Sequence, residues 1–302
     1  MKKLGLIAVS CAMLLSGCSL FEKDEIAPEL SLTKKRIIVD LNSDIDYLSY
    51  VEKAEDETDG DLKGKVTYNS IETNKKGYQE ITYTVEDDSG NSTSKKLGVN
   101  VVKMFEGGVY SPEDVEAKPV DDPEDITVLI NKLHSIPKGW EPDDLEPSID
   151  NPGQMLRKEA NEAYTRFYKD AKAKGIAIYS ISGYRKSATQ DLYWNNQVRV
   201  HGVEYASQYS AYPDRSEHQL GLTMDVSYKT TGDRLSESVE TSEIGQFIVH
   251  HAHEYGFILR YPKDKVAITN YGYEPWHIRY VGVDLATKLH ESGLTLDEYY
   301  GE

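Results

Sequence analysis

Apolar and polar positions change their rhythm several times along this 302-residue chain. Behind Lys2 and Lys3 stands a continuous apolar run, Leu4 to Leu15, which ends in Leu15-Ser16-Gly17-Cys18. It is shorter than the about 20 residues that a spanning helix needs and closes on small residues, which predicts a cleaved signal peptide over 1–17. From about Ala27 to Lys103 the pattern is short alternation broken by polar turns. Its runs include Arg36–Val39, Lys65–Tyr68, Glu80–Val85 and Leu97–Val102, with Asp87-Asp88-Ser89-Gly90-Asn91 between the last two. Period-two patterning with several turns predicts a small all-β sandwich over 27–103.

Beyond it the pattern dissolves. Residues 111–150 hold six of the chain's eleven prolines and twelve acids against three lysines. Over 104–124 this predicts an extended acidic linker. Periodicity returns in 125–302. Leu156, Ala160, Ala163, Tyr164, Phe167 and Ala171 fall at helical spacing within Met155–Lys174, and Gly175 follows. Ile176–Ile181 reads as a strand, Ser187–His201 and Ser242–Tyr255 as helices, and Phe257–Tyr261 as another strand. Helices and strands mixed in this order predict an α+β domain.

Charge and cysteine usage narrow the function classes. The formal charge is -17, and removal of the two leader lysines takes it to -17 - 2 = -19. Nucleic acid is excluded as a partner, because a phosphate-backbone binder needs a basic face. The only cysteines are Cys11 and Cys18, so the mature chain offers neither a disulfide nor a catalytic thiol. Cysteine directly after Leu-Ser-Gly resembles a bacterial lipobox. That resemblance implies an acylated Cys18 as new N-terminus, a tether over 18–26, and an extracytoplasmic protein anchored in the membrane by lipid.

Two segments carry candidate chemistry: Ser216-Glu217-His218-Gln219-Leu220-Gly221-Leu222-Thr223-Met224-Asp225 and Glu274-Pro275-Trp276-His277-Ile278-Arg279. A catalytic zinc takes three nitrogen or oxygen ligands from the protein and keeps one position open. His218, Asp225 and His277 can supply that set, and Glu274 stands three residues before His277 as a possible general base. Seven residues apart, His218 and Asp225 would face opposite ways on a regular strand, so a turn must intervene, with Gly221 best suited to it. Two histidines and a carboxylate also occur together by chance. The neighbouring His250, His251 and His253 sit in a predicted helix without such a base. Ser31-Leu32-Thr33-Lys34 matches the Ser-x-x-Lys of penicillin-binding enzymes but lacks their other motifs. Tyr205, Tyr209 and Tyr212 precede the first segment and are candidates to line its cleft.

Together, the two segments resemble the zinc D-alanyl-D-alanine carboxypeptidases of the VanY type, whose relatives include L,D-carboxypeptidases. Ser182-Gly183-Tyr184-Arg185 with Gln190, and Tyr255-Gly256-Phe257-Ile258-Leu259-Arg260-Tyr261-Pro262, match in the same order. Thr223 stands where that family commonly has alanine, which touches packing rather than ligation. The resemblance implies a hedgehog/DD-peptidase-like domain over 125–302, with antiparallel sheet and helices. It implies one catalytic Zn2+ on His218, Asp225 and His277, Glu274 as base, and Arg185 stabilising charge on the substrate. Ser182, Gln190 and Ser216 become candidate substrate contacts. The implied partners are peptidoglycan stem peptides ending in D-alanine, cut at a D,D or an L,D bond. A silent wall-binding lipoprotein using the same cleft is the alternative, although a binder has no need of Glu274. Separately, Gly77–Val101, with its Tyr-Thr-Val-x-Asp-x-x-Gly-Asn core, resembles bacterial immunoglobulin-like wall modules.

Overall fold

The computed structural model describes residues 24–301. The leader 1–17 and Cys18, the expected lipidation site, lie outside the described residues. The alternating region forms seven strands: β1 (Glu29–Leu32), β2 (Arg36–Asp40), β3 (Val51–Asp56), β4 (Gly60–Asp61), β5 (Thr67–Tyr68), β6 (Gly77–Glu86) and β7 (Ser92–Val102). They make one sheet of order β1-β3-β4 and another of order β2-β7-β6-β5. Leu30, Val51 and Ala54 of the first share a core with Ile81, Tyr83, Val85, Leu97 and Val99 of the second. Along β6 burial alternates as the sequence does, because one face meets this core. Along β7 it does not: Leu97–Val102 are buried on both faces.

The end of β7 is covered in part by the segment expected to be an extended acidic linker. Val102, Tyr110, Val115 and Leu133 form a cluster of their own. Lys118–Pro119 (β8) pairs in parallel with His134–Ser135 (β9). Two cations fix the path. Arg215 donates from Nη1 to the carbonyls of Pro112 (2.7 Å) and Lys132 (2.9 Å), and from Nη2 to that of Val115 (3.1 Å). Lys132 donates from Nζ to the Tyr110 carbonyl at 2.6 Å. Burial, reinforced by Arg215, holds the Lys132 ammonium well below its usual pKa. Most acids of this segment are exposed, Asp114 being half-buried against Lys76, while its few apolar residues do the packing.

The next domain opens with β10 (Leu145–Pro147) and β11 (Met155–Arg157), an antiparallel pair. Helix α1 (Lys158–Ala173) follows, then β12 (Tyr179–Ser182), α2 (Ser187–His201), α3 (Val203–Tyr209), β13 (Thr223–Ser227) and α4 (Glu243–His251). β14 (Phe257–Leu259), α5 (Val266–Thr269), β15 (His277–Tyr280), α6 (Val283–Ser292) and α7 (Leu296–Tyr300) complete it. α1 buries Ala160, Ala163, Tyr164, Phe167 and Ala171, the stripe its spacing predicts. It begins three residues later than the spacing alone suggests, because Met155–Arg157 is drawn into strand pairing. There the Arg157 N–H donates to the Gly221 carbonyl at 2.7 Å. Four antiparallel strands in the order β12-β13-β15-β14 form the central sheet. This is a mixed α+β fold.

β13 is buried throughout, and in it Thr223 carries a cost. Its hydroxyl is shielded from solvent and has no hydrogen-bond partner. Thr223→Val keeps the shape and removes the stranded hydroxyl, so it should raise stability by about 1 kcal/mol. A urea unfolding midpoint that falls in the variant would overturn this.

Candidate metal centre

Three neighbouring strands bring distant residues into one row. Ser182 on β12 pairs with Asp225 on β13, and Asp225 pairs with His277 on β15. His218 arrives from the 3-10 turn Glu217–Leu220 just before β13. Gly221 closes that turn in the left-handed region at φ 68°, where a Cβ would also lie 2.9 Å from the Leu145 side chain. The turn brings His218 round to the face of Asp225 despite the odd spacing.

One ligand atom each from His218, Asp225 and His277 lies within 4.8 Å of the other two, and all three residues are buried. His218 Nε2 stands 3.3 Å from Asp225 Oδ2, and His277 Nδ1 stands 3.1 Å from Asp225 Oδ1. The second approach is close but not aligned as a hydrogen bond, so Asp225 Oδ1 is buried with no donor. The outer partners assign the tautomers. His218 Nδ1 lies 2.8 Å from the Gly183 carbonyl, which leaves Nε2 free to face inward. His277 Nε2 faces Glu217 Oε2 at 3.5 Å, which leaves Nδ1. Two imidazole nitrogens and an orphaned carboxylate oxygen converging on one point make a donor set that fits zinc.

The local charges respond to this crowding. Burial, then Arg185, lowers the pKa of His218. Burial also opposes a charged His277, but Asp225, Glu217 and Glu274 outweigh it and raise that ring well above the usual value. Asp225 resists burial because His218 and His277 hold its carboxyl well below the ordinary range. Glu274 differs. Burial pushes its carboxyl up, with His277 at 3.3 Å pulling the other way. It therefore holds a proton more readily than a surface glutamate does.

Behind the row lies a network that motif reasoning passed over. Glu217 Oε1 accepts from Arg260 Nε and from Arg279 Nη1, each at 2.7 Å. Arg260 reaches on to Asp297, and Asp297 accepts from Asn131 Nδ2 at 2.9 Å. Arg279 Nη2 donates to the Ile126 and Val128 carbonyls. Burial would raise the Glu217 carboxyl, but the two guanidiniums overcome it and keep the group ionised. The signal available in sequence was thin: Glu217 lies inside the first motif, and both arginines follow apolar strand residues.

Arg185, Ser182 and Gln190 come together, though with different parts than a row of independent contacts. Arg185 donates from Nη1 to Gln190 Oε1 (2.7 Å) and from Nη2 to Ser182 Oγ (2.9 Å), and it lies 4.5 Å from the Tyr193 ring centre. Serine and glutamine thus steady the guanidinium. Arg185, Gln190, Ser216, Tyr205 and Tyr209 line a cleft of about 480 Å³ together with His218, Asp225, Glu274 and His277. Tyr212 instead meets Trp194 edge-on at 5.3 Å. The other histidines stay apart from this centre: His251 faces Glu254 at 2.9 Å, and His253 stacks on His290 at 3.8 Å. Ser31 donates to Glu52 on an exposed surface of the β module.

Known proteins resemble this chain over the domain that carries the row. The profile of the VanY D-alanyl-D-alanine carboxypeptidase family matches residues 153–283. YodJ of Bacillus subtilis, named as a carboxypeptidase, is 36% identical over 220 residues, covering 70% of this chain and 80% of its own length. The LdcB LD-carboxypeptidase, whose structure addresses peptidoglycan recognition, superimposes with a TM-score of 0.56 at 37% identity, over 66% of this chain and 92% of that one. A point mutant of a vancomycin-resistance D,D-pentapeptidase VanY in complex with Zn(II) superimposes with a TM-score of 0.50 at 30% identity, over 58% of this chain and 98% of that one. With relatives matched over most of their length and the donor row in place, this chain belongs to the VanY family of D-alanyl-D-alanine carboxypeptidases.

Proposed function

We propose that this chain is a zinc carboxypeptidase that removes the terminal D-alanine of peptidoglycan stem peptides, at a D,D or an L,D bond. The observation that carries the reading is the convergence of His218 Nε2, His277 Nδ1 and an unpartnered Asp225 Oδ1, with the Glu274 carboxylate beside them. Zinc held by these three would supply Lewis acidity and make water acidic enough to ionise near neutrality. Glu274 takes the proton of the attacking water and passes it to the nitrogen of the departing D-alanine.

Arg185 meets negative charge on the peptide, either its terminal carboxylate or the oxyanion. Ser182, Gln190 and Tyr193 hold the guanidinium in one pose, so little order is lost when substrate arrives. A lysine cannot satisfy both side-chain acceptors from the same plane. Arg185→Lys should therefore lower kcat/KM for D-alanine release from a stem peptide about 10²-fold, near 2.7 kcal/mol. Zinc content should stay the same. An unchanged kcat/KM would take Arg185 out of the mechanism, and no release by the wild-type chain would refute the function itself.

A further inference from the structure

A second group of metal-type donors lies in the N-terminal β module, among residues that the peptidase chemistry does not use. Asp24 precedes β1, Asp56 ends β3, and Asp87 opens the turn between β6 and β7. One carboxylate oxygen from each lies within 4.8 Å of the other two. Asp56 is 8% exposed and Asp87 is 5% exposed, so the group is built into the module rather than spread over its surface.

Part of the bonding is internal. Asp56 Oδ1 accepts the N–H groups of Thr58 (2.8 Å) and Asp59 (3.0 Å). Asp87 Oδ1 accepts those of Ser89 and Asn91, and its Oδ2 accepts Asn91 Nδ2 at 2.7 Å. The same Asn91 amide donates to the carbonyls of Asp24 and Ile26, which draws the N-terminal segment onto the turn. After all of these, Asp56 Oδ2 and Asp24 Oδ2 remain shielded from solvent with no hydrogen-bond partner.

Among the described residues no ion pair engages any of the three acids. Lys53, on the same strand as Asp56, is taken by Glu29 and Glu55, and Lys65 is taken by Asp88. Carboxylates crowded and buried without a counter-charge are costly, and the bare oxygen of Asp56 cannot be relieved by water that does not reach it. A cation relieves both. The donors are all carboxylate oxygens, which suits a hard ion and not zinc. They come from three separate loop or strand-end positions, a spread that accommodates the variable coordination of calcium better than the strict octahedron of magnesium.

We propose that Asp24, Asp56 and Asp87 form a calcium site that pins the segment before β1 to the β6–β7 turn. The test is calorimetric titration of CaCl2 into the full mature chain with its zinc loaded, beside a MgCl2 titration. A single calcium should bind with a dissociation constant on the order of 10⁻⁴–10⁻³ M, the range of extracellular modules. Magnesium should bind more weakly. Asp56→Asn and Asp24→Asn should each weaken calcium at least about tenfold, since each removes a donor charge. Asp24 lies outside the module's apolar core, so its variant separates loss of the site from loss of the fold. His277→Ala should bind calcium as the wild type does, which separates this site from the peptidase centre. No calcium uptake by the wild-type chain would overturn the proposal, as would uptake undiminished in both aspartate variants.

Discussion

Replacing Glu274 with alanine should cut the turnover of D-alanine release by about 10²–10⁴-fold, the range for loss of a positioned general base. Glu274 contributes no atom to the row of His218, Asp225 and His277, yet its carboxylate lies 3.3 Å from His277 and opens onto the cleft. The variant keeps all three donors and the outer contacts that orient them, His218 with Gly183 and His277 with Glu217. Zinc content by elemental analysis should therefore match the wild type while kcat collapses. Glu274→Gln should behave similarly, because the amide fills the space and cannot shuttle a proton. Near-normal kcat in either variant would remove Glu274 from the base role.

The largest effect on stability should come from Glu217→Ala. Glu217 is the shared anion of two fully buried arginines, and its removal leaves Arg279 with no carboxylate and Arg260 with Asp297 alone in the interior. Breaking one partner out of a buried ionic network costs about 3–5 kcal/mol. For a domain of this size that corresponds to a fall in Tm on the order of 10 °C. Glu217 also faces Nε2 of His277, so zinc affinity should drop about 10–100-fold in the same variant. Thermal unfolding and a zinc competition assay read the two consequences separately. A Tm within 1 or 2 °C of wild type (about 0.5 kcal/mol at this size) would contradict the account of the network.

What the sequence made legible follows from how locally each feature is encoded. Helix α1 and the alternation of β6 are written in nearest-neighbour periodicity, and both are present in the structure. The odd interval between His218 and Asp225 demanded a turn, and Gly221 adopts the left-handed conformation that makes it. The parts that escaped are those decided by distant partners. The acids of residues 104–124 suggest an extended linker, but Arg215 and Lys132, a hundred or so and some twenty residues away from their carbonyl acceptors, fasten that segment down. Met155–Arg157 has helical spacing and becomes a strand because Gly221 and Leu145–Pro147 offer it backbone partners. Glu217 stands next to His218 in sequence; its weight comes from Arg260, 43 residues on, and Arg279, 62 residues on. Ser182 and Gln190 are candidate substrate contacts, and in the structure both accept from the Arg185 guanidinium, a contact that no spacing announces.

The central claim is that this donor row works as a zinc peptidase on wall peptides. Its most direct test is D-alanine release from synthetic stem pentapeptide and tetrapeptide by the mature chain. Release is followed as purified, after chelation, and after zinc is returned. The account predicts release from one of the stems, lost on chelation and restored by zinc, and the productive stem names the bond as D,D or L,D. Release that survives full removal of metal, or none from either stem by the zinc-loaded chain, would contradict it, and the second result would point to a protein that binds the wall without cutting it.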